Sequence, residues 1–577
     1  MNVRRFLYVP VALLMGATAL AQRPANAPAT GPGGTPPDTV FLEELTWAET
    51  RDLVKAGYTN VIVGTAGTEQ KGPHMVDGEH KFVMTWTADR IARGMGKTLV
   101  APVVTYVPEG SWETRGGHMG KPGTITLPEE RFVDLLVSAG HSLKAGGFTN
   151  IWFVGESGGN RTGMRSAAEK LNALWAGSAK AYWVDDYYTK SHADQELMMA
   201  KLLGVPPAQV GNHANILDTS ELLFVAPQHI RTDRLTGNDY ENNGVSGNNQ
   251  SKASPEIGRT LLQNKLDNAL AQIKRMQSGA EGPVPALPAP PGGGRGGAGR
   301  PQNAAAAVAG PMRPTMDTAP AGKTPTRPPD TRFIDELTWE ETRDLMKAGN
   351  TTVIVPVGGT EKNGYHMVLG KHNYVVTFAA NEMARKLGNT LIAPTLQYVP
   401  EGDPDRQVPG AISLPSPAYD AVLDAAARSL QAHGFKEILF IGDSGGNQAG
   451  MVAVAKALNE AWKDAGTKVY ALTDYYEGGR EHYRAWMEAA FGYDDTTVGA
   501  HAGVSDTSQM LYVHPSGIRK DRIQPWGGPA DSGVSGDPMK ATADIGRMGI
   551  AYKVNAGLNQ LKALKAPPQR GGRPGGN

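Results

Sequence analysis

The sequence predicts an α/β protein built from two homologous domains with mostly parallel sheets. Three observations carry that expectation. A short stretch occurs twice, as TEQKGPHMVDGEH from Thr68 to His80 and as TEKNGYHMVLGKH from Thr360 to His372, with eight of thirteen positions identical. Around each copy, apolar runs suited to buried strands alternate with segments of helical spacing. Between the copies lies a Pro/Gly/Ala-rich stretch containing PGGGRGGAGRP, with the composition of a linker.

In chain order, residues 1–21 read as an export signal. MNVRR is a positive start, FLYVPVALLMGATAL an apolar core, and Ala19-Leu20-Ala21 a small-residue cleavage site. The other reading is an uncleaved anchor, but the run falls short of the ~20 residues that span a bilayer comfortably. No later stretch is long enough, so no stable membrane span is expected once the signal is removed, and the chain is placed in the periplasm or outside the cell. Residues 22–37 form a Pro/Ala/Gly-rich arm. The first domain is expected over 38–278, a linker over 279–329, the second domain over 330–565 and a tail over 566–577.

Within the domains, Thr46-Trp47-Ala48-Glu49 is a capping box opening a helix, and Thr338 with Glu341 repeats it. Asn60-Val61-Ile62-Val63 is a strand leading into the Glu69 turn. Thr98-Leu99-Val100 begins another after a helix ending near Gly96. Phe132, Leu135, Leu136, Ala139 and Leu143 follow helical spacing up to Gly146-Gly147. Ile151-Trp152-Phe153-Val154 then runs into GESGGN, and Ala181-Tyr182-Trp183-Val184 into Asp185-Asp186. Parallel α/β sheets collect ligands beyond the carboxyl ends of their strands, where Glu69, Glu156 and Asp186 fall. Trp47 and Trp339 are 292 apart, His213 and His501 are 288 apart, and the first copy carries extra residues around SWETRGGHMGKPGT.

Composition narrows the chemistry. Lysine plus arginine balance aspartate plus glutamate at 57 each, which argues against nucleic acid as a partner. With no cysteine, there are neither disulfides nor thiolate ligands, so a metal must sit on His, Asp, Glu, amide oxygen or water. Glu69, His74 and His80, recurring as Glu361, His366 and His372, are candidate ligands; hydrogen bonds within a glycine-rich turn are the bland alternative. In GESGGN and GDSGGN, Glu156 and Asp443 follow a strand and could face a metal. The serine there fits a nucleophile elbow poorly, since that turn wants G-x-S-x-G. His213 with Asp218, and His501 with Asp506, suit acid/base work or a capped turn. The Asp186-Tyr187-Tyr188 and Asp474-Tyr475-Tyr476 tyrosines suit packing. His118 lies in the first-copy insertion without a counterpart.

Taken together, GTEQKGPHMVDGEH, GESGGN and HANILDTS, with GTEKNGYHMVLGKH, GDSGGN and HAGVSDTS, resemble the creatininase family of amidohydrolases over nearly all the ordered chain. The resemblance implies three-layer α/β/α domains, frequent oligomers and a two-metal centre that hydrolyses C–N bonds of cyclic or linear amides. By position, Glu69 and Glu361 match a metal-binding Glu, and His80 and His372 the metal-bridging Asp. His213 and His501 match the acid/base His, with Asp218 and Asp506 the acid near it. Two family ligand histidines are replaced, one by Lys71 or Asn363 and one by Ser157 or Ser444. A protonated lysine has no lone pair to ligate. The expectation is therefore at most one divalent metal per site, zinc or manganese. It would be held by Glu69 and His80 with His74, His118 or Glu156, and by Glu361 and His372 with His366 or Asp443. The expected function is metal-dependent hydrolysis of a small amide, with His213 or His501 moving the proton to the leaving nitrogen. The alternative is a non-catalytic small-molecule binding protein. The two halves are expected to pair within one chain, as two subunits of an oligomer would, and further self-association stays open.

Overall fold

The computed structural model describes residues 37–286, apart from 205, 207 and 208, and residues 330–566. The expected signal, the arm up to residue 36, most of the linker and the tail from 567 lie outside the described residues.

The first half runs α1 (Trp47–Lys55), β1 (Asn60–Thr65), α2 (Glu79–Met95), β2 (Thr98–Val100), a small hairpin β3 (Gly110–Ser111) and β4 (Gly116–Gly117), α3 (Glu129–Ala145), β5 (Asn150–Gly155), α4 (Arg161–Trp175), β6 (Lys180–Trp183), α5 (Thr189–Leu203), α6 (Ile216–Val225), the single turn α7 (Tyr240–Asn243) and α8 (Pro255–Gln277). The second half repeats the plan without the hairpin. It runs α9 (Trp339–Lys347), β7 (Thr352–Val357), α10 (Lys371–Leu387), β8 (Thr390–Ile392), α11 (Ser416–His433), β9 (Glu437–Gly442), α12 (Gln448–Ala461), β10 (Lys468–Ala471), α13 (Glu477–Phe491), the single turn α14 (Asp495–Val498), α15 (Val504–Val513) and α16 (Ala543–Lys565).

Each half holds a four-stranded sheet, ordered β2-β1-β5-β6 and β8-β7-β9-β10, parallel throughout. Strand alternation sorts the side chains into layers. Ile62, Val100, Trp152 and Val154 pack against Met84, Ala88 and Ile91 of α2 and Leu266, Ala269 and Ile273 of α8. Val61, Val63, Ile151 and Phe153 point the other way, onto α3 and α4. That second core continues without a break into Val353, Val355, Ile438 and Phe440 of the other sheet, so the inner helices of both halves share one apolar layer.

The halves meet through reciprocal contacts of the kind an isologous dimer makes. The Tyr106 hydroxyl donates to the Pro394 carbonyl, and the Tyr398 hydroxyl to that of Pro102. Backbone N–H groups of Asp77 and Leu369 donate to the carbonyls of Leu337 and Leu45, at 2.8 Å each. The capping boxes form as expected, with Thr46 Oγ1 accepting from Glu49 N–H and Glu49 Oε2 accepting from Thr46 N–H. They also do something the local pattern does not announce. Glu49 is buried and takes Arg519 and Arg522 from the other half, while Glu341 takes Arg231 at 2.8 and 2.9 Å. One carboxylate thus starts a helix and locks the two halves together.

The first residues of the expected linker are among the described residues. Residues 279–286 fold back: the Pro283 carbonyl accepts from Trp183 N–H at the end of edge strand β6, and Val284 packs against the shared core. An edge N–H that needed an acceptor has drawn in proline-rich chain.

Candidate functional site

In each half the turn after the first strand places a glutamate, Glu69 or Glu361, against the start of the following helix and against the His213 or His501 loop. Gly72 and Gly364 have φ of +68° and +73°, and a Cβ on either would press on His74 or His366. Those turns need glycine.

In the first half Glu69 is 2 % exposed and surrounded by cations and imidazoles. Its Oε1 lies 2.9 Å from His80 Nε2, 3.1 Å from Lys71 Nζ and 3.7 Å from His213 Nδ1, and its Oε2 lies 3.0 Å from His118 Nε2. Lys71 is as buried as Glu69, and its ammonium also lies 3.2 Å from Glu79 and 3.2 Å from Asp218. Burial would lower the pKa of this ammonium, but Asp218, Glu79 and Glu69 together carry it well above the usual lysine value. The chain has put a permanent positive charge at the position where the family resemblance implies a ligand histidine.

His80 completes the reversal. Its Nε2 is on Glu69 and its Nδ1 is 3.0 Å from Glu79 Oε2. Burial and Lys71 work against its charge, yet the two carboxylates raise its pKa to about 9. Where the resemblance implies an anion bridging two cations, this chain has a cation bridging two anions.

The second half reaches the same electrostatics by another route. Asn363 replaces Lys71 and turns inward, donating to the carbonyls of Glu361 and Val368. The ammonium comes instead from Lys371, the counterpart of Glu79, at 3.5 Å from Glu361 and 3.3 Å from Asp506. His372 lies 2.7 Å from Glu361 by Nε2 and 2.7 Å from Asp443 by Nδ1. Its pKa is about 9, burial and Lys371 being overcome by Glu361 and Asp443.

Folding brings some of the other expected site residues to these centres and turns others away. His74 and His366 are buried and bond to Thr219 Oγ1 and Thr507 Oγ1 at 3.0 and 2.8 Å, pinning the turn to α6 and α15 rather than joining the carboxylates. Glu156 points to Lys265 and Tyr187, and Lys265 also holds Glu221 at 2.5 Å. Asp443 holds Lys553 and His372. Asp218 and Asp506 grip the lysines and accept from the backbone N–H of Ala214 and Ala502. Asp186 turns away to Arg275. His118 does enter, stacked on His213 with ring centroids 4.3 Å apart. One pair escaped the sequence reading. Glu109 and Glu401, in the repeated Val-Pro-Glu-Gly, lie beside Glu69 and Glu361, Glu109 buried and Glu401 half-buried. Burial and the neighbouring carboxylate push Glu109 well up and Glu401 to about 8, so both are protonated at neutral pH. The recurrence of Val-Pro-Glu-Gly in both copies was the available signal.

The two halves differ in how well their residues fit a metal. A two-metal centre does not fit either one, because Lys71 and Lys371 are ammonium groups, and His80 and His372, each set between two carboxylates, are held protonated and offer no lone pairs. In the second half Glu361, His372 and Glu401 converge, but both nitrogens of His372 are committed to carboxylates. The first half fits a single ion. Ligand atoms of Glu69, His118 and His213 lie within 4.8 Å of one another. His213 Nε2 is 2.6 Å from the Gln70 carbonyl, which can only accept, so the proton is on Nε2 and the Nδ1 lone pair faces Glu69. The Gln70 side-chain nitrogen is also 3.0 Å from that Nε2, but the carbonyl contact decides the tautomer. Burial lowers the pKa of both imidazoles and keeps them neutral, and Glu69 Oε2 is a buried acceptor without a hydrogen bond. Two neutral imidazoles and a carboxylate make a donor set for zinc or manganese.

Fold and site together define a tandem α/β protein with a buried carboxylate–imidazole centre beyond the strand ends of each half. The family model for creatininase, creatinine amidohydrolase, matches residues 43–273 and again 335–559, so the chain belongs to the creatininase family and carries its domain twice. It is 26% identical over 200 residues to creatinine amidohydrolase of Pseudomonas putida, covering 33% of this chain and 75% of that protein. It is 26% identical over 242 residues to the mycofactocin precursor peptide peptidase of Mycolicibacterium smegmatis, covering 38% and 87%. It is 27% identical over 202 residues to the 3-dehydro-scyllo-inosose hydrolase of Thermotoga maritima, covering 34% and 60%. A crystal structure of creatinine amidohydrolase aligns with 23% identity and a TM-score of 0.34, covering 41% of this chain and 99% of that one.

Proposed function

We propose that the chain is an exported, metal-dependent amidohydrolase that cleaves a C–N bond of a small cyclic or linear amide, with its working site in the first half. Family membership supports the reaction class, and one observation supports the location: Glu69, His118 and His213 converge with the lone pairs a divalent ion needs. An ion held there supplies Lewis-acid polarisation of the amide carbonyl. The rest belongs to the chain. Gln70 fixes the His213 tautomer, and Tyr240 Oη, 3.2 Å from His118 Nδ1, orients the second imidazole. Lys71, locked by Asp218 and Glu79, places a fixed positive charge beside the centre, where negative charge develops on the carbonyl oxygen. The signal-like composition of residues 1–21 supports export.

A second reading, a binding protein without catalysis, is favoured by the same Lys71, since its ammonium already neutralises the carboxylates that a second ion would need. Elemental analysis of chelator-treated full-length protein re-loaded with zinc or manganese separates the two. The expected result is about one metal per chain, lost in His118→Ala and kept in His372→Ala, together with hydrolysis of a panel of small amides. Less than about half a metal per chain, with no gain in activity on adding either ion, sinks the hydrolase reading.

A further inference from the structure

We propose that the second half contains a binding site for a small-molecule oxyanion, a carboxylate or a phosphate, in the cavity between Lys371, Arg480 and the start of α15. The cavity encloses about 210 Å³. Lys371 and Lys553 line it at 3 % and 6 % exposure, and Arg480 and Arg484 are half-buried on its wall. Three of these cations are already engaged: Lys371 with Glu361 and Asp506, Lys553 with Asp443, and Arg484 with Asp495. The Arg480 side chain has no hydrogen bond or ion pair among the described residues. It is a planar donor fork facing a cavity with nothing to hold, the geometry suited to a carboxylate or phosphate. The two carboxylates of the lining do not repel such a ligand as free charges, since Lys371, His372 and His501 surround Glu361 and Lys371 faces Asp506.

Two further features point into the same space. In the first half, Asn215 Oδ1 caps α6 by accepting from the N–H groups of Leu217 and Asp218. In the second half Gly503 stands at that position, α15 has no side-chain cap, and Gly503, Ser505 and Asp506 line the cavity. A Cβ at residue 503 would come within 2.4 Å of the carbonyl oxygens of Val498 and Ser535, so the missing cap follows from close backbone packing. The free N–H groups of that first turn carry the positive end of the helix. Gln509 is 1 % exposed and also lines the cavity, and its Oε1 has no partner, an acceptor suited to an N–H on the same ligand.

Comparison of the halves shows that this charge is particular to the second. Lys371 stands where the first half has Glu79, Arg480 where it has His192, Arg484 where it has Glu196, and Gln509 where it has Glu221. Only Asn363, in place of Lys71, runs the other way. A domain that needed only to keep its fold would have no reason to gather positive charge around one cavity. The inference stands whether or not either half hydrolyses an amide.

Calorimetric titration of the full-length protein with inorganic phosphate and, separately, with N-acetylglycine tests it. The expected result is saturable binding of at least one probe, weakened roughly tenfold or more in Arg480→Gln and in Arg480→His, which copies the first half. His192→Ala should leave it unchanged. Tighter binding of N-acetylglycine identifies a carboxylate carrying an N–H, and tighter binding of phosphate identifies a phosphate. Absence of saturable binding by either probe overturns the proposal. So does unaltered affinity in both Arg480 variants.

Discussion

The two halves of this chain solve one electrostatic problem with different residues. Around Glu69 the ammonium comes from Lys71 in the turn, with Glu79 as one of its three carboxylate partners; around Glu361 it comes from Lys371, at the helix position that Glu79 occupies in the first half. In both, the charge lies between the turn glutamate and the aspartate that begins the helix after the His213 or His501 loop. A mere loss of ligands would leave buried carboxylates facing one another, which is too costly to persist. The comparison teaches that the centre requires a cation at that point and is indifferent to which backbone position supplies it.

The largest effect should come from removing that cation. Lys71→Met leaves Glu69, Glu79 and Asp218 without it and should cost about 3–5 kcal/mol in denaturant unfolding. Lys371→Met should cost less, ~2 kcal/mol, because His372 and His501 still face Glu361. The sharper form is a transplant. Lys71→Asn alone should be as damaging as Lys71→Met, and Lys71→Asn combined with Glu79→Lys should recover most of the loss, since it copies the second half. A double variant as unstable as the single one would show that the two positions are not equivalent.

An effect that appears only with pH tests the second cation of each centre. His372 has a folded pKa of about 9 against an ordinary 6.5, raised by Glu361 and Asp443 against burial. Because the folded value is the higher one, its contribution is complete below pH 6.5 and is lost as pH rises through 9. That contribution is ~3 kcal/mol. Stability measured from pH 6 to 10 should therefore fall for the wild type, and His372→Gln should make the decline shallower, with His80 and the raised carboxyls Glu109 and Glu401 supplying the rest. An unchanged slope in the variant would place the titration elsewhere.

These contacts mark the limit of what the sequence could tell. The strand at Asn60–Val63, the helix stop at Gly146 and the capping boxes are local, set by periodicity and by residues a few positions apart, and they stand where the sequence puts them. The doubled turn and Glu69 as its centre were equally legible. What the sequence could not supply was the partner of each long side chain. Lys71 reads as a lost ligand, and only folding brings Asp218 to it from 147 residues away. Glu156 and Asp443 look like site carboxylates until α8 and α16 deliver Lys265 and Lys553. His80 looks like a ligand until both of its nitrogens are seen on carboxylates. His118 was visible, but its stacking on His213 depends on a loop that is longer only in the first half: Glu109 and Thr126 are 17 apart, while Glu401 and Ser413 are 12 apart.

The smallest predicted effect concerns the helix start that differs between the halves. Asn215 caps α6 with bonds of 2.8 and 3.1 Å to the N–H groups of Leu217 and Asp218, and Gly503 leaves the corresponding groups of α15 uncapped. Asn215→Ala and Asn215→Gly should each cost about 1–2 kcal/mol, since Asn215 is fully buried and also donates to the Gly211 carbonyl. Neither change should confer phosphate binding on the first half. His192 and Glu196 remain there in place of two arginines, and Glu221 in place of Gln509, so an exposed helix start would face carboxylates rather than a free guanidinium. Calorimetric titration of Asn215→Gly with inorganic phosphate, read against the wild type, measures this directly. A second binding event in that variant would mean that the open helix start alone accounts for anion affinity, and that Arg480 is dispensable to the difference between the halves.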